Sequence, residues 1–299
     1  MTRILITGAN GFAAPYVADE LVKRGFEVHG LARESAMEEQ EAFAGWHIAD
    51  LGDTTQTQVA VAAAKPNAVI HLAAISFVAH GNPADIYMAN IVGTRNLLAS
   101  LATLKSLDGP TVIVSSANIY GNLTGGALHE ELPPSPQSDY ALSKVACEYL
   151  ASMYSAQVRN FVVRPFNYTG VGQSADFIIP KIVQHVKSGA DIIELGNLDV
   201  ARDFSDVRFF ATALIRLLDL PLVSAEKVNI CSGRAYTLTE VLDLVAQISG
   251  RELKVVSNPL YKRLNEVERL WGDNRKLQKL IGPLEGPDLE ATLRWMIDA

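Results

Sequence analysis

The first fourteen residues constrain the fold more than any other stretch of the chain. Arg3–Thr7 reads as a short buried strand and runs directly into Gly8-Ala9-Asn10-Gly11-Phe12-Ala13-Ala14. Small residues at 8, 11 and 14 let the backbone turn tightly from strand into helix and approach a ligand closely. Pro15 falls in the first helical turn, where its missing N–H is no loss. A turn of this kind puts the positive end of a helix beside the end of a strand, which is a pyrophosphate site. Gly8, Gly11 and Phe12 are therefore candidate cofactor contacts.

Further along, short apolar runs alternate with helical spacing. Arg3–Thr7, Glu27–Leu31, Ala68–Leu72, Thr111–Ser115 and Asn160–Val163 read as buried parallel strands, with Gly45–Ala49 as a further candidate. Phe12–Arg24, Thr55–Ala64, Ala84–Leu104 and Ser138–Ser155 carry helical patterns between them. The alternation predicts an α/β fold, a Rossmann-like doubly wound parallel sheet with ligands at the carboxyl ends of its strands. The rhythm loosens after Arg164. This predicts a cofactor domain over 1–165 and a smaller, mainly substrate-binding domain over 166–299. Segments near 202–232, the Val207–Leu218 helix and the Lys227–Cys231 strand, are expected to return to the sheet.

Composition narrows the partners. At 299 residues with 48% hydrophobic and 20% charged residues, the chain can bury a substantial core. A net charge of −7 argues against nucleic acid and anionic membranes as partners. Two cysteines, Cys147 and Cys231, make no disulfide framework, and six histidines without ligand spacing imply no metal. The N-terminus has no signal-peptide pattern and no run is long enough to span a bilayer, so a cytoplasmic protein is expected.

The chemistry is expected at Tyr140 and Lys144, one helical turn apart in Ser-Asp-Tyr-Ala-Leu-Ser-Lys, with Ser116 upstream. An isolated tyrosine, with a pKa of about 10, is a poor acid or base at neutral pH. A neighbouring ammonium is expected to lower that value and make proton exchange with a substrate oxygen feasible. Combined with the glycine turn, this points to hydride chemistry at a carbon–oxygen centre with a nicotinamide cofactor. The end of the second strand, Leu31-Ala32-Arg33-Glu34-Ser35, selects the cofactor. Arg33 favours the 2′-phosphate of NADP(H) over NAD(H), unless Glu34 serves as a ribose ligand instead. His71 is read as a packed core residue.

These motifs resemble the extended short-chain dehydrogenase/reductases, the nucleotide-sugar epimerases, dehydratases and reductases. The resemblance covers nearly the whole chain. It rests on Thr7–Ala14, Asp50-Leu51, His71–Ala74, Asn90 with Gly93-Thr94, Ser115–Gly121 and Tyr140–Lys144. It implies that Ser116 hydrogen-bonds the reacting oxygen, Tyr140 transfers the proton, and Lys144 holds the nicotinamide ribose. It also implies cofactor contacts at Asp50, Leu51, Leu72, Ala73, Ala74 and Asn90, and a homodimer or homotetramer assembled partly through the Tyr140 helix.

The second half resembles the members of the family that act on GDP-sugars. Arg164-Pro165-Phe166-Asn167, Gly196-Asn197-Leu198 followed by Arg202-Asp203-Phe204, and Arg263-Leu264-Asn265-Glu266 carry that likeness. It implies substrate contacts at Asn167, Arg202, Arg263 and Glu266, with Ser76 and Lys181 near the sugar. A dehydratase of this group needs a carboxylate two positions after the catalytic hydroxyl, where this chain has Asn118, expected here as a substrate contact. The expected reaction is therefore reduction of the 4-keto group of GDP-4-keto-6-deoxy-D-mannose. A 4,6-dehydratase or an epimerase on the same fold is the alternative.

Overall fold

The computed structural model describes residues 1–35, 41–76, 82–123, 126–221, 223–258 and 268–299. In chain order the first half forms β1 (Arg3–Thr7), α1 (Ala14–Lys23), β2 (Glu27–Ala32), β3 (Gly45–Ile48), α2 (Thr54–Ala64), β4 (Ala68–His71) and α3 (Pro83–Tyr87). A π-helical turn (Met88–Val92), α4 (Gly93–Leu101), β5 (Thr111–Val114), a 3₁₀ turn (Ala117–Tyr120), α5 (Asp139–Met153) and β6 (Asn160–Pro165) follow. The second half contributes β7 (Asn167–Thr169), α6 (Ile178–Lys187), β8 (Ile192–Leu195), β9 (Ala201–Asp206), α7 (Val207–Leu218) and β10 (Glu226–Ile230). It ends with β11 (Ala235–Thr237), α8 (Leu238–Ser249), β12 (Lys254–Ser257), β13 (Arg269–Leu270), α9 (Arg275–Ile281) and α10 (Leu289–Asp298).

Seven strands form one parallel sheet in the order β10-β6-β5-β4-β1-β2-β3. The chain builds outward from β1 to β3, then crosses to the other side of β1 and builds outward again. Strand order therefore reverses between β1 and β4, and the crevice above that point is where a doubly wound sheet binds ligand. Alternate residues of the central strands face opposite layers, and both sets are apolar, as a sheet covered on both sides requires. Ile4 and Ile6 of β1 join Val17, Leu21, Phe210 and Leu214 on the α1/α7 side. Leu5, between them, joins Val61, Leu97 and Cys147 on the α2/α4/α5 side. This is the Rossmann-like α/β fold expected from sequence.

The chain leaves this sheet after β6 and returns through α7 and β10, which pairs with β6 in parallel register from Phe161↔Glu226 to Pro165↔Ile230. The remaining strands form small sheets above the carboxyl edge. β9 pairs with β7, β11 and β13, and β8 pairs with β12. Their core gathers Ile182, Val186, Ile193, Phe204, Val241 and Leu293 from α6, α8, α10 and their strands.

Two boundaries differ from the periodicity reading for local physical reasons. The first helix begins at Ala14 rather than Phe12, because residues 8–13 are committed to the turn: Gly11 N–H donates to Gly8 O at 2.8 Å. The expected Ala84–Leu104 helix is interrupted by the π-helical turn, which draws Asn90 inward until it is 1% exposed. Among the described residues no helix is long and apolar enough to cross a membrane.

Candidate active site

A cleft of ≈ 1250 Å³ runs along the carboxyl edge of the sheet, from Arg33 and Asp50 at one end to Lys181 and Arg202 at the other. Its floor is the glycine turn. Gly8 has φ +72°, and a Cβ there would lie 2.7 Å from the backbone of Ala73, so the turn and the β4 exit loop touch main chain to main chain. That leaves a shallow, backbone-lined cradle at the first turn of α1, the geometry a dinucleotide pyrophosphate fits. Phe12, Leu51, Leu72 and Ala74 complete this part of the wall, and Arg33 stands exposed at the end of β2.

The loop after β4 is braced from below. His71, 3% exposed, sits between Thr7 Oγ1 at 2.7 Å and Thr94 Oγ1 at 2.9 Å. Burial pushes its pKa down to about 3, with the Lys144 charge adding to the effect, so the ring stays neutral and serves packing. Asn90 is buried beside this loop. Its side chain does not line the cleft but accepts from Ile75 N–H at 2.8 Å and donates to Ile75 O at 3.2 Å and Ser143 Oγ at 2.9 Å. It holds the β4 exit loop to α5.

Ser138 caps α5 by accepting from Ala141 N–H at 3.2 Å, which places Tyr140 in the first helical turn and Lys144 one turn later. Both face the end of β5, are 7% and 5% exposed, and line the cleft beside Ser116. The Lys144 ammonium donates to Val114 O at 2.8 Å and lies 6.0 Å from the Tyr140 ring centre. Ser116 caps the 3₁₀ turn, its hydroxyl accepting from Asn118 N–H at 3.1 Å, and Asn118 also lines the cleft.

The electrostatic balance differs from the sequence expectation. Burial pushes the Tyr140 phenol up to about 12, with the Ser116 hydroxyl pulling only part-way back. Burial also pulls Lys144 down. Desolvation of the phenolate is the larger effect, so at neutral pH Tyr140 keeps its proton. A protonated phenol is the form that donates to an oxygen acquiring negative charge.

At the far end Asn167 Nδ2 donates to Asp203 O at 3.2 Å, Lys181 Nζ to Glu194 O at 2.9 Å, and Arg202 Nη1 to Ala201 O at 3.0 Å. Ser76 lines the same cleft. Arg263 and Glu266 lie outside the described residues. Tyr168, not singled out from sequence, also lines the wall, its ring stacked between Phe12 at 6.1 Å and Phe210 at 4.4 Å. Its signal was an aromatic residue directly after Asn167. Among the described residues no cluster of histidine, cysteine and carboxylate side chains could hold a metal ion.

Residues 5–292 match the family model described as GDP-mannose 4,6 dehydratase. The chain belongs to that family. It is thereby one of the extended short-chain dehydrogenase/reductases that the motifs resemble. It is 34% identical over 94% of its length to the GDP-6-deoxy-D-talose 4-dehydrogenase of Aggregatibacter actinomycetemcomitans, covering 91% of that protein. It is 37% identical over 73% of its length to the GDP-6-deoxy-D-mannose reductase of Pseudomonas aeruginosa, covering 74% of it. The structure of RMD from Pseudomonas aeruginosa complexed with NADPH superposes with a TM-score of 0.84 at 29% identity, over 100% of this chain and 98% of that one.

In the ligand-free protein Tyr140 is expected to ionise near 12. The near-ultraviolet difference titration of wild type against Tyr140→Phe reads it directly. A transition at or below the ordinary phenol value of about 10 would contradict the burial account.

Proposed function

We propose that this protein is an NADP(H)-dependent oxidoreductase that reduces the 4-keto group of GDP-4-keto-6-deoxy-D-mannose to give GDP-6-deoxy-D-mannose (GDP-rhamnose). The observation that carries this reading is Asn118 on the cleft wall beside Ser116 and Tyr140. Elimination of water across two sugar carbons needs a group that takes and returns a proton, and an amide at that position does neither at neutral pH. Beyond the hydride, reduction of a ketone needs only hydrogen-bond donors at the oxygen and one proton. The Ser116 hydroxyl donates to the keto oxygen, Tyr140 delivers its retained proton, and the fixed Lys144 charge stabilises the oxygen as negative charge develops. NADPH, when bound, supplies the hydride.

Residues 1–165 with the returning segments near 202–232 serve the cofactor, and 166–299 mainly the nucleotide sugar. Gly8, Gly11 and Phe12 hold the pyrophosphate, and Asp50 and Leu51 flank the adenine. Arg33 takes the 2′-phosphate; the NADPH complex of the structural relative supports that choice. Asn167, Lys181 and Arg202, with Arg263 and Glu266, take the GDP-sugar; the Arg202 guanidinium suits a diphosphate. The two named relatives act on GDP-6-deoxy-hexoses that differ by name in the sugar, which supports the substrate class. Leu142, Tyr149 and Met153, all exposed on α5, suit a homodimer or homotetramer interface. Two buried free thiols, Cys147 and Cys231, suit a reducing cytoplasm.

Purified protein with NADPH and GDP-4-keto-6-deoxy-D-mannose is expected to consume one NADPH per sugar, and Tyr140→Phe to slow this by at least about 100-fold. No consumption above the Tyr140→Phe background would sink the reading. NMR of the product distinguishes the rhamno from the talo configuration at C4, and a 4-keto product from GDP-mannose alone would favour the dehydratase.

Arg33→Ala is expected to weaken NADPH binding by about 10- to 100-fold, the loss of one charge-assisted contact, with little change for NADH. Equal losses for the two cofactors, measured by fluorescence titration, would refute the 2′-phosphate role.

A further inference from the structure

Behind the cleft lies a buried ion pair that the proposed reaction does not use. Glu148 follows Lys144 by one helical turn on the same side of α5 and is 4% exposed. Both of its oxygens are engaged. Oε1 accepts from Ser115 Oγ at 2.7 Å and Arg164 Nε at 2.8 Å, and Oε2 accepts from Arg164 Nη2 at 2.7 Å. Arg164, 1% exposed, donates through Nη1 to the Tyr120 hydroxyl at 2.9 Å and to Glu130 O at 3.1 Å. The Tyr120 hydroxyl in turn donates to Asn229 Oδ1 at 2.8 Å.

The partners come from α5, β6, β10, the 3₁₀ turn and the loops at 115 and 130, and Ser115 itself lines the cleft. Ser115 precedes Ser116, Tyr120 closes the turn that contains Asn118, and Arg164 leads along β6 towards Asn167. Burying the pair is expensive, and apolar side chains of similar volume often hold a fold as well or better. Apolar contact is non-directional. A two-pronged guanidinium–carboxylate pair instead fixes distance and angle between the groups it joins.

We propose that Glu148 and Arg164 are positioning residues for this reaction. Their pair sets the angle of α5 against the exits of β5 and β6, and through it the approach of Tyr140 and Ser116 to the keto oxygen. The inference rests on the reductase reading of the cleft.

The test is the double variant Glu148→Leu/Arg164→Met, which removes both charges and leaves neither unpaired. Its Tm is expected to stay close to that of wild type. Its kcat is expected to fall at least about 10-fold with KM for NADPH and sugar nearly unchanged, because small misplacements of catalytic groups act on kcat. Amide exchange is expected to accelerate across 115–120 and 139–144. Wild-type kcat and exchange in a stable double variant would overturn the proposal. If the double variant does not fold, Ser115→Ala decides: it removes one uncharged arm, and a smaller fall in kcat with faster exchange supports positioning, whereas unchanged values overturn it. Should wild type itself fail to turn over the 4-keto sugar, the reductase reading fails alone, and the exchange comparison decides the positioning role.

Discussion

The Lys144 ammonium, buried where α5 crosses the end of β5 and anchored on Val114 O at 2.8 Å, is the constraint on which the site depends. A charge removed from water is tolerated only where the surroundings hold it firmly. Here that means α5 cannot roll or slide without losing the carbonyl. An ammonium carries three donors, and Val114 takes one. The charge is therefore fixed in place, in a cleft it lines together with Tyr140 and Ser116.

Fixing α5 requires bracing on both sides, and both braces are polar. Towards the glycine turn, Asn90 ties the β4 exit loop to Ser143, and Cys147 Sγ donates to Asn90 O at 3.2 Å. On the other side, Glu148 is clamped by Arg164 and Ser115. The helix that carries Tyr140 and Lys144 is thus hydrogen-bonded to loops at the two halves of the cleft. The same burial that secures it removes Tyr140 from water and keeps the phenol protonated, which suits donation rather than abstraction.

Much of this was legible in the chain because the relevant signals are local. The strands are short apolar runs, and the glycine turn and Tyr140-x-x-x-Lys144 are contiguous. Other features depend on what folding brings together. Ala84–Leu104 reads as continuous helix because Asn90, within the π-helical turn, finds its side-chain partners at Ile75 and Ser143, distant in sequence. The Tyr140 shift runs upward, against the expectation, because proximity to Lys144 is written in the sequence, whereas burial is not. The Glu148–Arg164 pair joins a helix to the following strand across elements, and neither residue advertises a partner. Arg263 and Glu266 fall outside the described residues, so their proposed part in sugar binding stands on motif resemblance.

Net reduction at sugar C4, rather than recycling of a bound cofactor, is the chemistry proposed for this cleft. The most direct measurement uses NADPH deuterated at the transferable position with GDP-4-keto-6-deoxy-D-mannose, followed by NMR of the purified product. One deuterium at C4 of the 6-deoxy sugar is expected for each NADP⁺ formed. A product lacking deuterium at C4, or no product at all, would contradict it.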